Sequence, residues 1–130
     1  MVSRDEIKRK GIRRFLLSFK YSIQGLKIAY RDEQSMWIHL TITTLAVIAG
    51  FWLQISAMEW LIVIILITLV LGAELINTAI EAVVDLVTGE YHELAKYAKD
   101  LASASVFIYS MLALTCGAII FVPKIIDKLF

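Results

Sequence analysis

Three apolar runs, at residues 36–53, 60–86 and 103–122, are each long enough to cross a hydrocarbon core about 30 Å thick, which takes roughly 20 helical residues. The chain has 130 residues, is 59% apolar and contains one proline, which is too oily for an ordinary soluble domain. The expected fold class is therefore all-α and integral to a membrane, with three transmembrane helices in a single membrane domain covering residues 1–130. The middle run is longer than a span requires, so its end should protrude into the interface.

That end is chemically unusual. Glu74, Asn77, Glu81 and Asp85 follow the apolar part of the middle run. At 100° per residue they share an arc of roughly 80°, so one helix face is polar while the rest is apolar. An ionised side chain at bilayer depth costs a few kcal/mol or more, and such groups usually face a protein interior or a cavity and mark a working site. The alternative is a structural polar seam that holds helices together.

Charge is distributed unevenly. Nine of the thirteen basic residues (Arg4, Lys8, Arg9, Lys10, Arg13, Arg14, Lys20, Lys27 and Arg31) precede the first apolar run, against Asp5, Glu6, Asp32 and Glu33. This local excess suits anionic lipid headgroups or nucleotide phosphates rather than nucleic acid. The 54–59 connection has no Lys or Arg, whereas the second connection holds Lys96 and Lys99. The positive-inside rule then places the amino terminus and the second connection in the cytoplasm, with the carboxyl terminus outside and only Lys124 and Lys128 weakly opposed. Trp37 falls at the inner interface and Trp52 and Trp60 at the outer one, as expected of an aromatic belt. No cleavable signal peptide is expected, and the lone Cys116 is expected to be inert packing.

Within residues 1–32, Ile12, Phe15, Leu16, Phe19, Ile23, Leu26 and Tyr30 recur as one helical stripe with the basic residues mostly off it. This predicts an amphipathic helix on the cytoplasmic leaflet, serving as an anchor or as a substrate contact. Small residues such as Gly72, Ala73, Ser103, Ala104 and Ser105 would permit close helix contacts in a homo-oligomer.

Depth separates the acids. Counting about 1.5 Å per residue from Trp60, Glu74 lies roughly 21 Å along the helix and Glu81 roughly 32 Å, so Glu74 is in the core and Glu81 near the cytoplasmic boundary. A lipid headgroup could reach one while a soluble ligand reached the other. Glu90, Tyr91, His92, Glu93, Lys99 and Asp100 continue the polar zone, and Asp32 and Glu33 arrive at the same membrane face. Carboxylates around a basic residue can hold a divalent metal against phosphate oxygens, and with oxygen ligands and no Cys or His cluster that metal would be Mg²⁺. Against this, His39 and His92 each read as interfacial hydrogen-bonding residues, and Lys99 and Asp100 as a solvated loop pair. No P-loop and no protein-kinase glycine loop or H-R-D signature is present, so a bound nucleotide would use neither cradle.

The pattern Glu74-x-x-Asn77-Thr78-Ala79-x-Glu81-x-x-Val84-Asp85, followed by Glu90-Tyr91-His92 and Ala98-Lys99-Asp100, resembles the signature of the small prokaryotic diacylglycerol kinase and undecaprenol kinase family. The resemblance extends to Tyr21, Ser22-x-x-Gly25-Leu26 and Glu33, and so runs from about residue 14 to residue 105. It implies a homotrimer of three-span subunits in the bacterial plasma membrane, each with a surface helix, with active sites at the cytoplasmic interface shared between neighbours. It also implies ATP as phosphoryl donor and Mg²⁺ as cofactor. By position in the motif, Glu74 resembles the general base, and Glu33 and Glu81 the metal carboxylates. Arg14, Tyr21, Glu33, Glu81, Glu90, Tyr91, His92, Lys99 and Asp100 resemble the ATP contacts, Glu74, Asn77 and Ser103 the lipid side, and Asp85 a supporting residue.

Ile38-His39, with Ile55-Ser56 and Glu59-Trp60 across the span, resembles the undecaprenol-phosphorylating branch more than the diacylglycerol-phosphorylating one, while Trp37 departs from the basic residue common in the family. Both lipids are apolar chains ending in a hydroxyl. A small ion-coupled transporter would also use intramembrane carboxylates, but has no need of acids that continue into a Lys-Asp segment. A subunit whose polar face only specifies assembly is the third reading.

Overall fold

A computed structural model describes residues 11–130, and Arg4, Lys8, Arg9 and Lys10 lie outside the described residues. Among the described residues there are four helices: α1 (Ile12–Asp32), α2 (Gln34–Trp52), α3 (Ala57–Val87) and α4 (Glu93–Leu129). The chain divides into two compact units between Asp32 and Glu33, so that α1 forms the first and α2 to α4 the second.

In the first unit, Ser18 and Ser22 hydroxyls donate to the carbonyls of Phe15 and Ser18 at 2.6 and 3.0 Å, keeping these polar side chains on the helix's own backbone. The Phe15 and Phe19 rings meet edge to face at 5.0 Å. Arg31 in the last turn suits the negative helix end and donates to both Asp32 carboxylate oxygens, at 2.6 and 2.9 Å. These hydrogen bonds from Arg31 hold the Asp32 carboxyl below its ordinary range. The next residue, Glu33, is extended (φ −109°, ψ 117°) and precedes α2 without capping it through its side chain.

In the second unit, α2, α3 and α4 are the three helices long and apolar enough to cross a membrane. The α2–α3 connection is short because it is built from two interlocking motifs. Gln54 takes a left-handed conformation (φ 51°), Gln54 N–H donates to Phe51 O at 3.3 Å and Ile55 N–H to Gly50 O at 3.1 Å, which closes α2 in a Schellman turn. Ser56 then starts α3 with a capping box. Its N–H donates to Glu59 Oε2 at 2.6 Å and its Oγ accepts from Glu59 N–H at 3.3 Å. Gly50 is required by close approach, since a Cβ there would sit 2.8 and 2.9 Å from the Trp60 ring.

Around this turn lies the apolar core, Leu53, Ile55, Val63 and Ile120, with Trp60, Ile67, Phe121 and Ile125 packed on it. The carboxyl-terminal end of α4 is fastened to the same end of the unit. Lys128 donates to the Trp52 carbonyl at 2.5 Å, with its ammonium 4.9 Å from the Trp52 ring centroid, and Lys124 pairs with Glu59 at 3.3 Å. Trp52, Trp60 and Glu59 thus serve as structural fasteners.

One stripe of α3 is buried: Val63, Leu66, Val70 and Ala73, then Glu74 and Asn77. The same face that is apolar near the α2–α3 turn becomes polar from Glu74, a little past the middle of the helix. Helix α4 begins ten residues before the apolar run at 103–122. Lys96, Lys99 and Asp100 therefore stand on a helix and not on a loop, which corrects the sequence expectation. The local reasons are the His92 cap, whose Nδ1 accepts from Leu94 N–H at 3.2 Å, and the i,i+4 pairs Tyr97–Glu93 (2.6 Å) and Lys96–Asp100 (2.5 Å).

Candidate active site

Glu74 is only 4% exposed. Two residues of α2 face it: the Ser35 hydroxyl donates to Glu74 Oε1, and His39 Nε2 stands 3.8 Å from Oε2. Ser35 and His39 are four apart on α2, so a single face of that helix presents both to the carboxylate. One turn further along α3, Asn77 is buried and its Nδ2 donates to Glu81 Oε1 at 3.0 Å. Asn77 Oδ1 and the neighbouring Thr78 hydroxyl are buried with no hydrogen-bond partner among the described residues. Burial then falls along the polar face, Glu81 being half-buried and Asp85 exposed.

The second centre is a hollow of about 580 Å³ where α3 turns into α4. Asp85, Glu90, Tyr91, His92, Lys99 and Asp100 line it, so six residues singled out from the sequence converge there, and Lys96 joins them. The turn is held by Thr88, whose hydroxyl donates to the Glu90 carbonyl and accepts from the Glu90 N–H, both at 3.1 Å. Lys99 donates to Asp85 at 2.5 Å. That hydrogen bond, with the negative charges of Asp85 and Glu81, holds the Lys99 ammonium above its ordinary range, at a position just before the apolar stretch of α4 begins. Asp100 pairs with Lys96, so Lys99 and Asp100 do not form the pair with each other that the sequence suggested. Both ion pairs are largely solvated, and exposed pairs of this kind contribute roughly 0–1 kcal/mol, so either lysine can change partners at little cost.

Arg14 and Tyr21 are exposed on α1 in the first unit. Ser103 is exposed on α4, and Glu33 is half-buried at the start of the second unit. Among the described residues no group of three or more His, Cys, Asp or Glu side chains converges as a metal site.

An apolar groove of about 750 Å³ runs along α2, α3 and α4, from His39 and Thr43 past Val70 and Val63 to Phe121 and Val122. Its polar end is His39, the residue facing Glu74. Sequence reasoning singled out Glu74 but not its partner Ser35, and read His39 as an interfacial side chain. Their i,i+4 spacing on an apolar helix was the available signal. Lys96 was missed as a lining residue because it was placed on a loop.

The profile of the prokaryotic diacylglycerol kinase family matches residues 20–121, a stretch that contains every candidate site residue except Arg14. The undecaprenol kinase of Bacillus subtilis is 37% identical over 125 residues, covering 96% of this chain and 100% of that protein. The diacylglycerol kinase of Escherichia coli is 36% identical over 110 residues, covering 85% of this chain and 90% of that protein, and that of Haemophilus influenzae is 36% identical over 115 residues, covering 88% and 98%. With its buried acid, three membrane-length helices and a family match across most of its length, the chain belongs to the prokaryotic diacylglycerol kinase family.

Proposed function

We propose that the protein transfers the γ-phosphate of ATP to the terminal hydroxyl of a membrane lipid alcohol, with undecaprenol as the preferred acceptor and undecaprenyl phosphate as the product. The observation that carries this reading is the buried Glu74 carboxylate, met by His39 at the head of an apolar groove on one side and continuing through Asn77 and Glu81 toward a basic and acidic hollow on the other. A hydrocarbon chain fits the first environment and a triphosphate the second. The extent of likeness to the Bacillus undecaprenol kinase supports undecaprenol over diacylglycerol.

In the reaction, Glu74 accepts the proton of the lipid hydroxyl as its oxygen bonds to the γ-phosphorus, and the bridging oxygen leaves with ADP. A carboxylate excluded from water and fixed within reach of the hydroxyl suits that role. Phosphoryl transfer requires positioning and charge neutralisation more than covalent catalysis. Lys99 supplies cationic donors to the phosphates, with Glu90, Tyr91, His92 and Asp100 shaping the hollow around the nucleotide and Asp85 holding Lys99 in place until phosphate displaces it. Arg14 and Tyr21 are assigned to the nucleotide as well, and Asn77 and Ser103 to the lipid side.

The donor atoms fit a magnesium ion that arrives with the nucleotide. The groups on offer are oxygens, Asn77 fixes Glu81 while leaving its own Oδ1 without a partner, and no three-acid cage among the described residues would bind an ion unaided. Mg²⁺ commonly binds through one or two carboxylates plus substrate phosphates. Glu33 and Glu81 would hold it, and it would supply positive charge to offset that of the phosphates.

The same reading makes residues 1–130 one membrane domain of the bacterial plasma membrane, with α1 on the cytoplasmic leaflet, the amino terminus and the hollow in the cytoplasm, and three chains sharing active sites between neighbours. The direct test is Mg²⁺-dependent transfer of labelled γ-phosphate by the purified protein in mixed micelles, with undecaprenol and diacylglycerol compared side by side. Higher kcat/KM for undecaprenol is expected. Preference for diacylglycerol would reassign the acceptor, and transfer to neither would overturn the kinase reading.

A further inference from the structure

A buried base works only if its reactive oxygen is held toward the substrate, and Glu74 has two oxygens in different circumstances. Oε1 accepts a hydrogen bond from Ser35, which ties down one edge of the carboxylate. Oε2 faces His39 Nε2 at 3.8 Å, beyond direct hydrogen-bonding distance, so its lone pairs remain available to a hydroxyl placed between them. His39 also lines the head of the apolar groove, where the nearby lining residues of α4, Phe107, Ser110 and Met111, carry no charge. Glu74 itself does not line the groove, so a hydroxyl at the end of a chain lying there would reach Oε2 by way of the imidazole, 3.8 Å from it.

We infer that Ser35 and His39 are positioning residues for the phosphoryl acceptor, Ser35 by fixing the Glu74 carboxylate and His39 by orienting the lipid hydroxyl toward Oε2. This deepens the kinase reading and rests on Glu74 being its base. Both residues lie on the α2 face opposite Glu74, so a register shift of α2 would move them together.

The test compares steady-state kinetics of Ser35→Ala, Ser35→Thr, His39→Leu and His39→Gln with the lipid acceptor in mixed micelles, alone and in a Glu74→Gln background. Ser35→Ala and His39→Leu should each lower kcat about 10-fold to 100-fold, the effect of losing a hydrogen bond to a charged or reacting group. The KM for ATP should stay within about twofold, because neither residue lines the hollow. Ser35→Thr restores the hydroxyl and His39→Gln restores an N–H donor, so each should recover most of the lost kcat. Glu74→Gln alone should cost about 10²-fold to 10⁴-fold, and adding Ser35→Ala or His39→Leu to it should cost nothing more. Wild-type kcat in Ser35→Ala and His39→Leu beside an inactive Glu74→Gln would overturn the inference while leaving the base intact. Full turnover by Glu74→Gln would instead remove the base and the inference with it. Ser35 and His39 report independently, and the conservative variants separate a positioning effect from a folding one.

Discussion

At the scale of single residues, the site distributes charge by burial. Among the described residues Glu74 is met by a hydroxyl and an imidazole, whereas the solvated Asp85 and Asp100 are each paired with a lysine. A base must keep a lone pair free, while a phosphate site needs cations that can change partners. On this division Lys99→Met should raise the KM for ATP by about 10-fold or more, as expected for loss of a charge-assisted hydrogen bond, while the KM for the lipid stays near its wild-type value. Because Asp85 holds the Lys99 ammonium above its ordinary range, Lys99 remains charged throughout the neutral region, and this defect should not vary between about pH 6 and pH 8. Steady-state titrations with each substrate at both limits check this, and an effect confined to the lipid KM would remove Lys99 from the nucleotide side.

At the scale of elements, the α2–α3 turn shows how a short connection can be specified by few residues. Gly50 admits the Trp60 ring, Gln54 reverses the chain, and Ser56 with Glu59 starts the next helix. Gly50→Ala would push a methyl group against an aromatic ring edge already within 2.8 to 2.9 Å of that position, which should lower stability by about 1–3 kcal/mol. Thermal unfolding in detergent measures it, with the unfolding midpoint falling by several degrees while the KM for ATP is unchanged. The same elements show what could be read beforehand. The three helices were legible because apolar length is a direct signature of a span, and the polar face of α3 was legible because the 3.6-residue period alone places Glu74, Asn77, Glu81 and Asp85 together. The start of α4 was not, because hydropathy reports only its apolar part, whereas capping by His92 and the pairs of Glu93 with Tyr97 and Lys96 with Asp100 extend the helix through polar sequence. Nor was the Ser35–Glu74 contact, since the register of one helix against another depends on packing that no single helical period encodes.

For the molecule as a whole, the two ends of the three-helix unit have different work. Apolar core and lysine fasteners gather at the α2–α3 turn, while acids and the hollow gather at the opposite end. If the hollow takes ATP it must face the cytoplasm. In a Cys116→Ser background, an impermeant maleimide should therefore label Gln54→Cys in intact cells and Gly89→Cys only after permeabilisation, and the reverse pattern would refute the orientation. The groove between these ends sets a further requirement. Its lining includes Gly117, where an added Cβ meets its nearest neighbour, Phe121, only at 4.0 Å, so a larger side chain can enter without displacing backbone. Gly117→Leu would then occupy space left for hydrocarbon well away from both Glu74 and the hollow. If the acceptor's chain lies in the groove, this variant should raise the lipid KM severalfold with the ATP KM and the unfolding midpoint nearly unchanged. A short-chain acceptor that does not reach Gly117 should be phosphorylated as well by the variant as by the wild type, and an equal defect with short and long acceptors would place the chain elsewhere. The contrast between acceptor lengths is the decisive part, because a general disturbance of α4 would slow both, whereas a blocked groove slows only the lipid long enough to fill it.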